Sequence, residues 1–157
     1  MLVQLNRQDD QRPYTATATD LPINPAMTKS SRAVIAVLGH PGRVAGLPAH
    51  LPTGWRMRRA RDVDDVHPDE IVLITSAAVA DVTTARAILP RRTRIVALVD
   101  EEAPAELVAG VLTAGADVCV RGGQPAILAS HLVACRRRQL ADRWSSLQSA
   151  DATATQA

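Results

Sequence analysis

Short runs of consecutive aliphatic residues recur along the chain, and they constrain its fold more than any other feature. The clearest run is Ile71–Ile74, in which four apolar residues follow one another without a polar break. A strand that is buried on both faces has this pattern, which is typical of a parallel sheet covered by helices on both sides. The other predicted strands are "AVIAVLG", "RIVALV", "DVCVR" and the more polar "WRMRRA", whose composition favours a sheet edge.

Segments with helical spacing lie between these runs. The patterns predict helices in "AVADVTTARAIL", "APAELVAGVLTA" and "QPAILASHLVACRRRQLADRW". "RVAGLPAHL" is a weaker candidate, because Gly46 and Pro48 disfavour a helix. Strands that alternate with helices predict an α/β fold with right-handed crossovers. Five strands fit a single doubly wound parallel sheet of flavodoxin-like type, for which analogy supplies the strand order 2-1-3-4-5.

The chain of 157 residues is long enough for one domain with a sizeable core, but not for two. Residues 1–31 are polar and lack sustained periodicity, so we expect a disordered N-terminal arm, and Met27 is an alternative natural start. The domain itself is expected over residues 32–138, and residues 139–149 extend its last helix. We expect residues 150–157, which are small and polar, to form a disordered tail.

Composition argues against several functional classes. The net charge is only +2, so direct contact with nucleic acid is not expected, and no apolar run has the length of a membrane span. Cys119 and Cys135 fall in apolar patterns and are expected to be buried, reduced thiols, which suits a cytoplasmic protein. The four His residues have no metal-ligand spacing, and the aspartates at 62, 64 and 65 lack the Gly and Glu of a calcium loop. We therefore expect neither a metal nor a cofactor.

One segment, "LTAGADVCVRGGQPAILASHLVACRRR", resembles the end of the receiver domains of response regulators. In that family a helix ends in Gly-Ala-Asp, and a short strand, a loop and a final helix follow; here the triplet is Gly115-Ala116-Asp117. "HPDEIVLIT" is similar to the family's third strand and its Pro-Asp lead-in. The resemblance covers about Arg32 to Arg138 and implies a receiver-like fold.

The resemblance also implies which residues a working receiver needs, and this chain departs from them at each position. Paired carboxylates that bind Mg²⁺ should follow the first strand, where Gly39-His40-Pro41 stand. The phosphoacceptor Asp should close the third strand, where Thr75 stands. A Thr or Ser should close the fourth strand, which ends at Val99, and a Lys should follow the fifth, where Arg121 stands. Phosphoryl transfer needs the metal and a cation to neutralise developing charge. The chain is therefore predicted to be a pseudo-receiver with no phosphoacceptor and no catalytic activity.

An alternative function is the binding of a small molecule by a regulatory α/β domain. Ligands of open parallel sheets bind beyond the carboxyl ends of the strands. That crevice would be lined by Gly39, His40, Thr75, Asp100 and Arg121. The loop after Gly39 lacks the Gly-Lys-Ser/Thr of a phosphate-binding loop, and a Gly-x-Ser-x-Gly nucleophile motif is absent, so an enzyme is the least favoured interpretation.

The last helix carries two apolar stripes that are out of phase. Leu128, Leu132 and Cys135 form the first, which is predicted to dock on the sheet. Leu140, Trp144 and Leu147 form the second, beyond the point where receiver domains end. With Arg136 and Arg137, the second stripe is a candidate contact for a protein partner or a homodimer. The alternative, that it folds back over the domain's own edge, remains open. The sequence thus predicts a regulatory protein in signalling or transcription that acts through protein–protein contact.

Overall fold

The computed structural model describes residues 32–154, with side chains described through residue 150. The predicted N-terminal arm and the last three residues lie outside the described residues.

Five parallel strands form one sheet in the order β2-β1-β3-β4-β5. Neighbouring strands pair over four residues each, as in Ile35 with Ile71 and Val72 with Ile95. The predicted fold class and strand order are confirmed. The strands are β1 (Val34–Leu38), β2 (Arg56–Arg59), β3 (Ile71–Thr75), β4 (Ile95–Val99) and β5 (Val118–Arg121).

Helices cover both faces of the sheet, which explains why its central strands are apolar at every position except Thr75, the last residue of β3. On one face, α1 (Val79–Ile88) and α2 (Ala105–Thr113) pack through Val82, Ala85 and Val111 onto alternate residues of the strands. On the other face, α3 (Pro125–Ala154) packs through its first apolar stripe. Because side chains alternate across a strand, Val72 faces one layer and Leu73 the other.

The connections on either side of β2 are shorter than helices. Between β1 and β2 the chain forms two 3₁₀ turns, Pro41–Val44 and Leu47–His50, in place of the weak helix that the sequence suggested. Pro41 and Pro48 each stand in the first positions of a turn, where a missing N–H costs nothing. Between β2 and β3 there is only the turn Val63–Asp65, capped by the side chain of Asp62, which accepts a hydrogen bond from the Asp65 amide at 3.1 Å.

Helix α3 is far longer than the sheet on which it packs. Its 30 residues span about 45 Å, whereas strands of 4 or 5 residues span about 17 Å. It therefore extends past the edge of the sheet at which the strands begin. The helix also continues to Ala154, although we expected a disordered tail from residue 150. Residues 149–154 contain neither Gly nor Pro and include three Ala, so no residue among them breaks the helix.

No helix among residues 32–154 is both long enough and apolar enough to cross a membrane.

Candidate functional site

The residues of the predicted crevice all lie at the edge of the sheet where the strands end, because the strands are parallel. Gly39 and His40 follow β1, Thr75 ends β3, Asp100 follows β4 and Arg121 ends β5. His40, Asp100 and Arg121 are exposed, whereas Thr75 is buried. The contacts of Thr75 and Asp100 decide whether these residues form one site.

The hydroxyl group of Thr75 is used within the fold. It donates a hydrogen bond to the carbonyl oxygen of Leu38 at 3.1 Å and accepts one from the backbone amide of His40 at 2.7 Å. Only 4% of Thr75 is exposed. The Thr75 hydroxyl donates its proton to a backbone carbonyl oxygen and not to a basic side chain of the kind that activates a nucleophile. The two hydrogen bonds of Thr75 connect the end of β1 to the end of β3.

Gly39 allows the backbone after β1 to approach Thr75 this closely. Its φ angle of +97° lies in the left-handed region, which side chains rarely adopt. A Cβ atom at this position would lie 2.5 Å from the Thr75 hydroxyl oxygen and 2.9 Å from the Thr75 carbonyl oxygen. The backbone after β1 therefore approaches β3 in the place where a working receiver would carry carboxylates.

Arg43 joins the ends of β3 and β4 across this edge. One guanidinium nitrogen donates to the Ser76 hydroxyl oxygen at 2.5 Å, and the other lies 2.5 Å from a carboxylate oxygen of Asp100. Both ionic side chains are partly exposed, so water screens the pair and limits its contribution to stability. Asp100 is therefore paired with Arg43, a residue that the sequence analysis did not include in the crevice.

The space beside Thr75 lies on the β2 side of the predicted crevice. A cavity of about 320 Å³ opens there, between the ends of β1 and β3, the turn after β2 and the start of α1. Gly39 and Thr75 line it, whereas His40, Asp100 and Arg121 are not among its lining residues. The predicted residues are thus divided between this cavity and the Arg43 contact. The other lining residues are Leu38, Arg61, Asp62, Val63, Ile74, Asp81 and Thr84.

The acidic residues near the cavity accept hydrogen bonds from backbone amides and so stabilise a turn and the start of a helix. Asp81 accepts a hydrogen bond from the Ala78 amide at 3.0 Å at the start of α1, and Asp62 caps its turn. The pKa of the Asp65 carboxyl lies below its ordinary value, because the Arg61 amide and the Arg58 guanidinium donate to it. Among the described residues, no cluster of three His, Cys, Asp or Glu side chains could hold a metal ion.

Arg58 and Glu70 form a bidentate ion pair beside this turn. The guanidinium nitrogens of Arg58 lie 2.7 Å from each of the two Glu70 carboxylate oxygens. Burial alone would raise the pKa of Glu70, but the hydrogen bonds from Arg58 and from the His67 amide outweigh it, so the pKa is lowered. The pair fixes the polar edge strand β2 to the start of β3.

The first stripe of α3 docks on the sheet as the sequence predicted. Leu128, Leu132 and Cys135 are each at most 1% exposed. Burial raises the pKa of the Cys135 thiol to about 11, which makes it unreactive near neutral pH. Cys119 is half-buried rather than buried, and both cysteines are free thiols.

Arg136 lies inside the fold, although the sequence suggested a partner contact. It is 7% exposed and donates to the carbonyl oxygens of Asp69 and Arg32, each at 3.2 Å. It also donates to the side-chain oxygen of Gln139 at 2.8 Å. Three adjacent arginines lie on helix faces that differ by about 100° each, but the pattern does not show which one points inward, because the carbonyl groups that bind Arg136 are distant in sequence. Arg137 is exposed.

Two ion pairs hold α3 where it passes the edge of the sheet. Asp142 pairs with Arg94, which precedes β4, and Arg143 pairs with Asp69, which precedes β3. Arg94 also contacts Asp117 at 2.7 Å, so the Gly-Ala-Asp turn is connected to the helix through one guanidinium group. The apolar side chains that follow Arg143 are exposed, since Trp144 is 63% exposed and Leu147 is 61% exposed.

An open groove runs beside this part of α3. It has a volume of about 410 Å³. Leu140, Trp144 and Leu147 line it together with Arg92, which lies in the loop before β4. Within the described residues, the second stripe is therefore on the surface and is not folded back as core.

Sequence reasoning missed several residues that organise these surfaces. No sequence pattern indicated the contacts of Arg43 with Ser76 and Asp100, because the direction of a 3₁₀ turn depends on tertiary packing. The partners of Asp142 and Arg143 are 48 and 74 residues away in sequence, and no periodicity reports such distances. Arg61 and Thr84 lie in turns and on a helix surface, where polar residues are ordinary.

Comparison with solved structures supports the fold. A protein from Burkholderia thailandensis titled a "putative pilus assembly protein (cpaE)" matches with a TM-score of 0.51 and 15% identity, over 66% of this chain and 96% of that one. A protein titled "CheY-like protein (tadZ)" from Pseudomonas aeruginosa matches with a TM-score of 0.48 and 22% identity, over 69% of this chain and 92% of that one. At these identities the likeness shows the fold alone. The chain has a receiver-like fold.

The sequence matches no protein-family model and no curated protein.

Proposed function

We propose that this protein is a pseudo-receiver, which regulates a signalling or transcriptional process through protein–protein contact and independently of Asp phosphorylation. It acts in the cytoplasm as a non-catalytic domain that requires neither a metal nor a cofactor. Its contact surface is the second stripe of α3, formed by Leu140, Trp144 and Leu147.

The hydrogen bonds of Thr75 are the observation that carries the proposal. In a working receiver, the side chain at this position is an exposed carboxylate that accepts the phosphoryl group. Here the side chain is a buried hydroxyl whose donor and acceptor capacities hold Leu38 and His40 together. Neutral hydrogen bonds and the Arg43–Asp100 ion pair therefore hold the strand ends in this conformation. On this proposal, the conformation does not depend on a phosphoryl group.

The geometry of α3 supports a contact beyond the domain body. The ion pairs of Asp142 and Arg143 fix the direction in which the helix leaves the sheet, and the exposed Trp144 follows immediately. An exposed aromatic side chain on a well-oriented helix is typical of the hot spots that dominate protein interfaces. Arg92 and Arg137 flank the stripe, which favours a partner with acidic side chains around an apolar centre.

Replacement of Trp144 by Ala tests this proposal. We expect the tagged Trp144→Ala chain to lose the proteins that co-purify with the tagged wild-type chain from cells. Loss of a hot-spot aromatic weakens association by about thirtyfold, or about 2 kcal/mol. The thermal midpoint should stay unchanged, because Trp144 packs on little of the core.

Ile127→Ala is the matched control. Ile127 is also an exposed apolar residue of α3, at 47%, but it lies over the body of the sheet. Its replacement should leave the co-purifying proteins in place. If Trp144→Ala retains the same proteins as wild type, the stripe is not the contact surface, and a lowered thermal midpoint would show that Trp144 belongs to the core.

A further inference from the structure

Strand β2 is the last strand on its side of the sheet and pairs with β1 alone. The amides of Arg56 and Ala60 donate to carbonyl oxygens on the β1 side, at 2.9 Å each. Because the backbone groups of successive residues in a strand point to opposite sides, the N–H and C=O groups of Met57 and Arg59 point away from β1. Within residues 32–154, no other group bonds to these outward atoms, which form the open border of β2.

The open border of β2 is basic. The side chains of Arg56 and Arg59 are exposed, and neither forms an ion pair with a residue that the structure describes. Arg58 differs from both, because its guanidinium group lies 2.7 Å from the carboxylate of Glu70. Cations without a partner beside unpaired backbone groups favour a binding partner that brings negative charge.

A cavity adjoins the end of this border at which β2 begins. It has a volume of about 500 Å³, and Arg32, Gly54, Trp55 and Arg56 are among its lining residues. Trp55 is half-buried, so part of its ring is available to an apolar side chain. A segment that lies along β2 could therefore place an apolar residue at Trp55 and acidic residues further along.

The chemistry of the border favours an extended peptide over a nucleic acid. Its outward atoms include donors and acceptors, and a peptide backbone matches both kinds. Phosphate groups only accept hydrogen bonds, so they would leave the outward carbonyl oxygens unpaired. Beyond the strand, the exposed carboxylates of Asp62 and Asp64 outnumber the cation of Arg61 and would repel a longer chain of phosphates.

The same charges disfavour a second copy of the chain as the occupant. If two β2 strands paired in antiparallel fashion about their midpoint, Arg56 of each copy would stand opposite Arg59 of the other. Like charges directly opposite one another destabilise a sheet, and charged border strands commonly prevent such pairing.

We propose that the open border of β2 binds an extended acidic peptide segment as an additional strand. The backbone groups of Met57 and Arg59 pair with the peptide backbone, and the side chains of Arg56 and Arg59 attract its carboxylates. This surface is separate from the second stripe of α3 and does not rest on the proposed function. Trp144→Ala should therefore bind the peptide as the wild type does.

Fluorescence anisotropy with a labelled peptide tests the proposal on the full chain. The probe is the sequence Glu-Glu-Thr-Thr repeated once, and its control carries Lys in place of each Glu. We expect only the Glu peptide to bind, and more weakly as salt rises from about 0.1 M to about 1 M. Arg56→Gln with Arg59→Gln should weaken binding by about tenfold or more. Arg137→Gln with Arg138→Gln removes the same charge from exposed positions of α3 and should weaken it by less than about twofold.

A second comparison isolates the backbone contact. Arg59→Pro removes the outward N–H but no bond to β1, whereas Arg59→Thr removes the same side chain and keeps the N–H. Both should keep the thermal midpoint near that of the wild type, since Pro is tolerated on a border strand. We expect the Pro variant to bind the Glu peptide about tenfold more weakly than the Thr variant. N-methylation of alternate peptide residues tests the same bonds without changing the protein and should weaken binding similarly.

Four results would overturn the proposal. The first is no binding of the Glu peptide, or equal binding of the Glu and Lys peptides. The second is equal affinity of Arg59→Pro and Arg59→Thr with no effect of N-methylation, which would mean charge attraction without an added strand. Tighter binding of a single-stranded oligothymidine would assign the border to nucleic acid, and a dimer that Arg59→Pro abolishes would assign it to a second copy. Each leaves the co-purification test of Trp144 standing, so the two proposals fail separately.

Discussion

Thr75 shows how one side chain can change the use of a receiver-like site. Receiver domains carry their phosphoacceptor at the end of the third strand, whereas here the hydroxyl group of Thr75 bridges two backbone segments. The sequence predicted that Thr75 ends the third strand, because the apolar runs set the positions of the strands. It did not predict the bonds of Thr75, since a Thr at a strand end has several partners within reach.

Gly39→Ala tests whether the close approach of β1 to Thr75 is required by the fold. We expect a loss of about 2–3 kcal/mol of the free energy of unfolding, since a side chain is strained at this positive φ angle. The new Cβ would also meet two oxygen atoms of Thr75, and the backbone one cannot rotate away. Denaturant titration measures the change.

Gly42→Ala is the control in the same loop. A Cβ atom on Gly42 meets nothing within 4 Å, so its replacement should change the free energy of unfolding by less than about 0.5 kcal/mol. Equal stabilities of the two variants would mean that the approach at Gly39 is not fixed as described.

At the scale of elements, α3 has two parts with different roles. The part through Gln139 is docked by apolar packing and by Arg136, and the part from Trp144 onward is exposed. The two stripes and their phase shift could be predicted from helical spacing. The inward position of Arg136 could not, because it depends on carbonyl groups supplied by residues 67 and 104 positions away.

Arg136→Ala should destabilise the domain, since it leaves the carbonyl oxygens of Asp69 and Arg32 without the guanidinium that binds them. We expect a loss of about 1–3 kcal/mol in the free energy of unfolding. Thermal and denaturant unfolding of the full chain measure it.

Arg137→Ala removes an equal charge from the adjacent exposed position. It should cost about 0.5 kcal/mol or less. If the two variants were equally stable, Arg136 would be a surface residue, as the sequence alone suggested.

At the scale of the whole molecule, all five strands begin at one side of the parallel sheet and end at the opposite side. The edge where the strands end holds the Thr75 and Arg43 contacts, and the opposite edge holds the anchors and the exposed end of α3. The layers followed from the alternation of apolar runs with helical segments, whereas the strand order came from analogy with flavodoxin-like sheets. The cavity near Arg61 and the groove near Arg92 did not, because both are formed between segments that are distant in sequence.

The central claim is that the protein works without phosphorylation, and the intact mass of the full chain after incubation with acetyl phosphate and Mg²⁺ tests it most directly. Because His40 and the bonded hydroxyl of Thr75 stand where the metal ligands and the acceptor would be, we expect no increase in mass. A receiver domain with a complete site, treated in parallel, should gain the phosphoryl group. A stable phosphoryl adduct on any residue of this chain would contradict the account.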